Sequence, residues 1–131
     1  MITNGPNEPE WIGCDFDATL AKYDTWRGAS HTGDPVPLML RKVKRLLDAG
    51  EHVKIFTARV HPQVHPQDGQ KAEEARRAIE RWCRRHLGQT LEVTHEKDRY
   101  LVQIYDDKAV GIIPNTGIEV GVSKFIETLT V

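Results

Sequence analysis

Short apolar runs alternate with amphipathic helical stretches along this chain, and that alternation restricts the fold more than any other feature. The sequence predicts apolar strands at residues 10–14, 52–56, 91–94 and 100–105, and a short fifth strand at residues 110–113. Helices with an apolar period of 3.6 are predicted between the first three strands, from Pro35 to a stop at Gly50 and from about Gln70 to Leu87. This order is typical of a parallel sheet joined by right-handed crossovers.

The predicted fold is a single α/β domain over residues 1–131. We expect a three-layer, Rossmann-like domain with a parallel sheet, helices on both faces and no full cap domain. A chain of 131 residues that is 39% hydrophobic suits one core and not two. Residues 1–9 are predicted to be a loose lead-in and residues 21–34 a flap-like loop. Residues 118–131 show no clear period, so strand and helix both stay open there.

Charge and cysteine content narrow the class of protein. The net charge of −1 gives no whole-molecule argument for nucleic acid or for an anionic membrane surface. Cys14 and Cys83 each lie inside an apolar pattern, which indicates two packed thiols in a reducing compartment. No apolar stretch approaches the roughly 20 residues of a membrane span, and the N-terminus lacks a signal core. We expect a cytoplasmic protein without membrane contact.

The helix starts follow from local signals. Asp34 is predicted to be the N-cap of the first helix, with Pro35 at its first helical position. Asp68 is a plausible N-cap for the second helix. The loop between strand two and that helix carries His61 and His65, which we interpret as exposed loop histidines with substrate contact as the alternative.

Polar groups follow three of the predicted strands. They are Asp15, Asp17, Thr57, Asp106 and Asp107. In a parallel sheet, ligands bind in the crevice outside the carboxyl ends of the strands, so these groups are expected to share one crevice. Four carboxylates in one crevice repel one another, and a divalent cation relieves that conflict. Oxygen ligands of this kind suit Mg²⁺.

With Mg²⁺ present, these residues suit phosphoryl chemistry. One carboxylate of the first pair, Asp15 and Asp17, can attack phosphorus while the other moves protons. Thr57 offers a hydroxyl and a backbone N–H to phosphoryl oxygens. Lys97 would supply the positive charge that the transition state requires.

Four segments together resemble the motifs of the haloacid dehalogenase superfamily of phosphohydrolases, in particular its small, capless bacterial and phage members. They are Asp15–Leu20 (DFDATL), Phe56–Arg59 (FTAR), Lys97, and the pair Asp106 and Asp107. The resemblance implies Asp15 as nucleophile and metal ligand, and Asp17 as acid/base and, through its backbone carbonyl, a ligand of Mg²⁺. Asp106 and Asp107 would be the remaining acidic ligands. Thr57, Ala58, Arg59 and Lys97 would bind the phosphoryl group.

Two positions depart from that family pattern. Ala18 stands where the family usually has glycine, which is tolerated if its φ stays negative. Lys97 lies nine residues before Asp106, whereas many relatives place this lysine further upstream. Lys71, near the start of the second helix, is the rival for the phosphate-binding role, and we rank Lys97 first.

The expected function is a Mg²⁺-dependent phosphomonoesterase that forms an aspartyl-phosphate and acts on a small phosphorylated substrate. An uncapped crevice needs the flap, a neighbouring subunit of a homo-oligomer or a large substrate to exclude water. The Arg-rich second helix and the flap aromatics Tyr23 and Trp26 keep a polynucleotide end phosphatase or a nucleotidase open, although nucleic acid is not favoured. A non-catalytic module that binds phosphate or metal is the alternative from another class.

Overall fold

A computed structural model of the chain describes residues 10–62 and 69–121. Its main sheet contains strands β1 (Trp11–Cys14), β2 (Val53–Phe56), β3 (Val93–Thr94) and β4 (Leu101–Tyr105). All three pairings are parallel, in the order β3, β2, β1, β4. Helix α1 (Pro37–Asp48) joins β1 to β2, and a short 3₁₀ helix (Ala58–Val60) and helix α2 (Gly69–Leu87) join β2 to β3. The predicted α/β fold with a Rossmann-like parallel sheet is confirmed.

The core lies between one face of this sheet and both helices. Ile12 pairs with Val53 and Cys14 with Ile55, so these four side chains share a face. They form one buried cluster together with residues of both helices, among them Val43, Ile79 and Cys83. Full burial of an aliphatic side chain of this size stabilises the fold by about 1.5–3 kcal/mol.

The two helices lie on the same face of the sheet. The connections step from β1 to β2 and from β2 to β3, and right-handed crossovers that step the same way place their helices on the same side. On the opposite face, Trp11 packs edge-on against Phe56 with ring centroids 6.5 Å apart. Within the described residues, the helices expected on both faces are therefore found on one, and residues 122–131 lie outside those residues.

Helix α1 begins two residues later than predicted. Pro35 pairs with Ala21 in an antiparallel bridge, and the Val36 N–H donates to the Leu20 carbonyl at 2.8 Å. These contacts hold Pro35 and Val36 outside the helix, so Val36 is the N-cap without a side-chain cap, and Pro37 takes the first helical position. The predicted Asp34 cap is therefore wrong. The helix ends as expected before Gly50, whose φ is +84°.

The predicted flap over residues 21–34 contains no helix or strand. Its base is closed by the Lys22 N–H, which donates to the Asp34 carbonyl at 2.8 Å. The Gly33 carbonyl accepts a hydrogen bond from the indole N–H of Trp82 on α2, also at 2.8 Å. A Cβ at Gly33 would lie 1.9 Å from the Lys22 carbonyl oxygen, so only glycine fits there. The flap is thus a loop tied to the domain at its base and to α2.

The remaining described residues form a small hairpin. Strands β5 (Gly111–Ile112) and β6 (Glu119–Val120) pair antiparallel, which confirms the strand predicted at residues 110–113. Of the stretch left undecided, residues 119–120 are strand and residues 122–131 lie outside the described residues, as do residues 1–9 and Asp68. No described helix has the length and apolarity that a membrane span requires.

Candidate functional site

The polar groups expected in one crevice follow three adjacent strands of the sheet, β2, β1 and β4. Asp15 comes directly after β1, Thr57 after β2 and Asp106 after β4. The Asp15 N–H donates to the Tyr105 carbonyl at 2.9 Å, which continues the β1 to β4 pairing to the last residue before the acids. Because these strands are parallel, their carboxyl ends bring the three residues to one edge.

A cluster of three carboxylates lies at this edge. Asp15, Asp106 and Asp107 each offer one oxygen, and these oxygens all lie within 4.8 Å of one another. The Thr19 hydroxyl lies 3.2 Å from a carboxylate oxygen of Asp15 and 3.2 Å from one of Asp107, and it accepts the Asp107 N–H at 3.0 Å. A hydroxyl has one hydrogen, so it donates to one carboxylate at a time. Thr19 therefore links the ends of β1 and β4.

The crowding changes the acidity of Asp15. The pKa of Asp15 is raised from 3.8 to about 7, mainly by burial, with contributions from a hydrogen bond with Asp107 and the charge on Asp106 and an opposing contribution from Thr19. A cation between the three acids would remove the charge repulsion that contributes to this shift. The all-oxygen donor set fits Mg²⁺, which takes few protein carboxylates and keeps several waters.

Asp17 is held apart from this cluster. Its carboxylate accepts two hydrogen bonds from Arg59, from Nε at 2.6 Å and from Nη2 at 2.9 Å. The same guanidinium donates through Nη1 to the flap carbonyls of Ala29 and His31. Arg59, predicted as a phosphate ligand, is instead engaged with Asp17 and the flap. The metal ligand expected from Asp17 is its backbone carbonyl, which this arrangement of side chains does not test.

Thr57 and Ala58 form the loop after β2. The Thr57 backbone N–H donates to the Thr94 carbonyl at 2.9 Å, so this donor is already used in the sheet and the hydroxyl is the Thr57 group available for the phosphoryl role. The buried Thr57 hydroxyl caps the 3₁₀ helix by accepting the Arg59 N–H at 3.2 Å, and it keeps its own hydrogen for donation. Ala58 is exposed and borders the crevice.

Among the described residues, two cavities border Asp15. The flap-side cavity, about 230 Å³, is lined by Asp15, Asp17, Trp26, Ala29, Thr57, Ala58, Arg59, His61, Lys71, Ala72 and Lys108. The histidine-side cavity, about 280 Å³, is lined by Asp15, Phe56, Thr57, Ala58, His61, His95, Asp106 and Lys108. The rings of His61 and His95 lie 4.7 Å apart between centroids. His61 is thus both exposed and part of the crevice wall, whereas His65 lies outside the described residues.

The lysine ranking from the sequence is not supported by this geometry. Lys71 lines the flap-side cavity and Lys108 lines both cavities, whereas Lys97 is exposed and lines neither. The connection from β3 to the parallel strand β4 has to return to the amino end of the sheet. By Asp98 it has reached Trp11, whose indole N–H donates to the Asp98 carboxylate at 2.8 Å. Lys97 therefore lies away from the acids. Lys108, the residue after Asp107, lines both cavities but was not predicted from the sequence.

The turn after Asp17 has an unusual backbone. Ala18 has φ +68°, in the left-handed region. The negative φ expected for an alanine at this position is therefore not found. The turn is closed by the Ala18 N–H, which donates to the Ala21 carbonyl at 2.8 Å. A residue with a Cβ costs roughly 1–2 kcal/mol in this region. The strain lies one residue before Thr19, which the turn places between two of the acids.

The cysteines take no part in the site. Cys14 and Cys83 are buried and form no disulfide, as predicted. Burial raises the pKa of the Cys14 thiol to about 12 and that of Cys83 to about 11. A thiol with such a pKa is a poor nucleophile at neutral pH.

Comparisons with known proteins show a shared fold and nothing more specific. No family model and no curated protein matches this sequence. Among solved structures, the chain is similar to a conserved protein from Bacteroides thetaiotaomicron, with a TM-score of 0.51 and 21% sequence identity. The match covers 95% of this chain and 94% of the other, so the likeness extends over the whole fold.

We expect Ala18→Gly to stabilise the protein. Glycine removes the roughly 1–2 kcal/mol cost of a Cβ at positive φ. It also increases the conformational entropy of the unfolded chain, which lowers stability by about 0.4–1 kcal/mol. The net gain in the free energy of unfolding is about 0.5–1 kcal/mol, measured by urea denaturation. Ala49→Gly is the matched control, since Ala49 is exposed with φ −80° and should lose stability. Equal changes in both variants would contradict a strained Ala18.

We also expect Asp15 to make stability depend on pH when EDTA removes divalent cations. Between pH 4 and pH 7 the folded state keeps a proton that the unfolded state has released, so raising the pH lowers the free energy of unfolding. Between pH 4.5 and pH 8 the wild type should lose about 1–2 kcal/mol more than Asp15→Asn, allowing for solvent in the crevice. Excess Mg²⁺ should restore most of the stability that the wild type loses at high pH. The same pH dependence in both proteins would contradict the shift.

Proposed function

We propose that this protein is a Mg²⁺-dependent phosphomonoester hydrolase that works through an aspartyl-phosphate, as the resemblance to small, capless haloacid dehalogenase-like phosphatases suggests. The observation that carries the proposal is the three-carboxylate cluster of Asp15, Asp106 and Asp107 at the carboxyl ends of parallel strands. The substrate is a small phosphorylated compound. The two buried, unpaired thiols support a reducing, cytoplasmic setting.

Asp15, Asp106 and Asp107 would hold the metal. Bound there, Mg²⁺ offsets the mutual repulsion of the acids and the charge of the phosphoryl oxygens. Thr19 positions two of these ligands through its hydroxyl, since it lies 3.2 Å from both carboxylates. Thr19 therefore belongs to the proposed site as a positioning residue.

Asp15 is the proposed nucleophile. Its carboxylate oxygen forms a bond to phosphorus as the bond from phosphorus to the substrate oxygen breaks. Asp17 takes up a solvent proton as it separates from Arg59 on substrate binding and gives that proton to the departing oxygen. It then takes a proton from the water that attacks the aspartyl-phosphate and releases inorganic phosphate. Arg59 is a positioning residue in this scheme because, before substrate binds, its two hydrogen bonds hold the Asp17 carboxylate in the wall of the same cavity.

Positive charge and hydrogen-bond donors are available for the phosphoryl oxygens. Lys108 borders both cavities and Lys71 borders the flap-side cavity, so each can approach a group bound at Asp15. The Thr57 hydroxyl adds a neutral donor. Phosphoryl transfer depends mainly on positioning and electrostatic stabilisation, which are the functions these side chains would supply.

Asp15→Asn should abolish turnover of para-nitrophenyl phosphate in the presence of Mg²⁺. An amide cannot form the acyl phosphate, so we expect kcat to fall by at least about 1,000-fold. Asp48→Asn, at the exposed end of α1, is the matched control and should keep full activity. Circular dichroism checks that both variants are folded.

A fully active Asp15→Asn variant would refute the assignment. Mg²⁺ binding by the wild type with no turnover of any phosphomonoester, and with no beryllium fluoride adduct at Asp15, would point instead to a non-catalytic metal-binding module.

Substitution of Lys71, Lys97 and Lys108 tests which lysine binds the phosphoryl group. We expect Lys71→Met and Lys108→Met each to lower kcat/KM by about 10- to 100-fold, because each removes a charge beside the phosphoryl site. Lys97→Met should stay within about twofold of the wild type, since Lys97 lines neither cavity. A large loss confined to Lys97→Met would reverse this assignment.

A further inference from the structure

Trp26 differs from the other tryptophans of the chain in its exposure. It is 46% exposed, whereas Trp11 is 1% and Trp82 is 3% exposed. Trp26 also lines the flap-side cavity together with Asp15 and Asp17. A large aromatic side chain therefore presents apolar surface in the wall of the proposed catalytic crevice, where packing of the core does not require it.

The position of this indole is fixed relative to the acids. The guanidinium carbon of Arg59 lies 5.2 Å from the Trp26 ring centroid, at a distance typical of a cation–π contact. The Arg59 side chain is 5% exposed, and its guanidinium is bound to Asp17 and to the flap carbonyls of Ala29 and His31. Arg59 thus connects the indole to the proposed acid/base.

A second flap aromatic shows that exposure alone does not place a ring in the crevice. Tyr23 is 44% exposed, nearly as much as Trp26. It lines a separate surface depression with Lys22, Asp24, Arg27, His31, Thr32, Gly33 and Asp34. Of these two rings, Trp26 is the one that faces Asp15.

The remaining walls of the flap-side cavity suit a planar, anionic molecule. Ala29 and Ala72 contribute small apolar side chains to the wall that Trp26 also lines, while Lys71 contributes positive charge. An aromatic face in such a wall accepts a nucleobase of any sequence, because every base has a π-face.

We propose that the flap-side cavity binds the base of a nucleotide, with Trp26 as the stacking platform and the phosphate of the same nucleotide at Asp15. The inference rests on the proposed phosphatase function and names its substrate class. The shared chemistry is a base attached to a terminal phosphomonoester, which a free mononucleotide and a phosphorylated oligonucleotide end both provide.

Binding tests the stacking independently of turnover. In the Asp15→Asn background with Mg²⁺, calorimetry should show adenosine 5′-monophosphate binding at least about 5-fold more tightly than ribose 5-phosphate, as expected for one stacked base. Adding Trp26→Ala should remove this preference, Trp26→Phe should keep most of it, and Tyr23→Ala should leave it unchanged. Quenching of tryptophan fluorescence by the nucleotide should also disappear in Trp26→Phe.

Turnover gives the second readout. In the active protein, Trp26→Ala should lower the ratio of kcat/KM for adenosine 5′-monophosphate over that for ribose 5-phosphate by about 5-fold or more, mainly through KM. Loss of the same size on both substrates, or an equal effect of Tyr23→Ala, would overturn the stacking role. The phosphatase assignment fails if the wild type shows no turnover or if Asp15→Asn keeps its activity. A binding preference that still depends on Trp26 would support the base site in either case.

The salt dependence of the affinity distinguishes a free mononucleotide from an oligonucleotide end. A 5′- or 3′-phosphorylated oligonucleotide that binds more tightly than the mononucleotide, with affinity that falls steeply with salt, identifies a polynucleotide end. Equal affinity and a shallow salt slope identify a mononucleotide. Either result supports the base site, whereas no preference for any base-containing compound over ribose 5-phosphate would overturn it.

Discussion

The ion pair between Asp17 and Arg59 is the interaction on which the crevice depends. Arg59 is 5% and Asp17 22% exposed, so both groups have lost most of their hydration. Removing one partner of such a pair leaves a buried, uncompensated charge, at a cost of roughly 3–5 kcal/mol. The guanidinium also holds two flap carbonyls and lies against Trp26. The flap, the indole and the second acid of the motif are therefore positioned by one side chain.

This pair also explains how two acids one residue apart acquire different environments. Arg59 neutralises Asp17, while Asp15 lies among Asp106, Asp107 and the Thr19 hydroxyl, where burial raises its pKa to about 7. Carboxylates whose environments differ in this way are suited to different roles. The uncompensated charge lies on the three-acid side, where a cation would bind and favour the ionised form of Asp15 that a nucleophile requires.

The sequence predicted the features that depend on periodicity and failed where tertiary contacts decide. Strand ends and apolar patterns were sufficient to bring Asp15, Thr57 and Asp106 to one edge, because parallel strands leave little freedom there. The start of α1 could not be predicted from Asp34, since a distant bridge to Ala21 holds Pro35 out of the helix. Lys97 was misplaced because its connection returns to Trp11 without a helix. The partner of Arg59 lies 42 residues away, and no local signal indicates it.

The strained turn at Ala18 shows what the site requires of the fold. A non-glycine residue at φ +68° persists only where neighbours determine its conformation. Here Phe16, Leu20 and Ala21 are fully buried on either side of it, and the Phe16 carbonyl accepts hydrogen bonds from the N–H groups of Leu20 and Ala21. Burial of these apolar side chains contributes several kcal/mol, more than the roughly 1–2 kcal/mol of strain. The core therefore holds the turn, and the turn holds the Thr19 hydroxyl between Asp15 and Asp107, where an unstrained strand would have carried it past them.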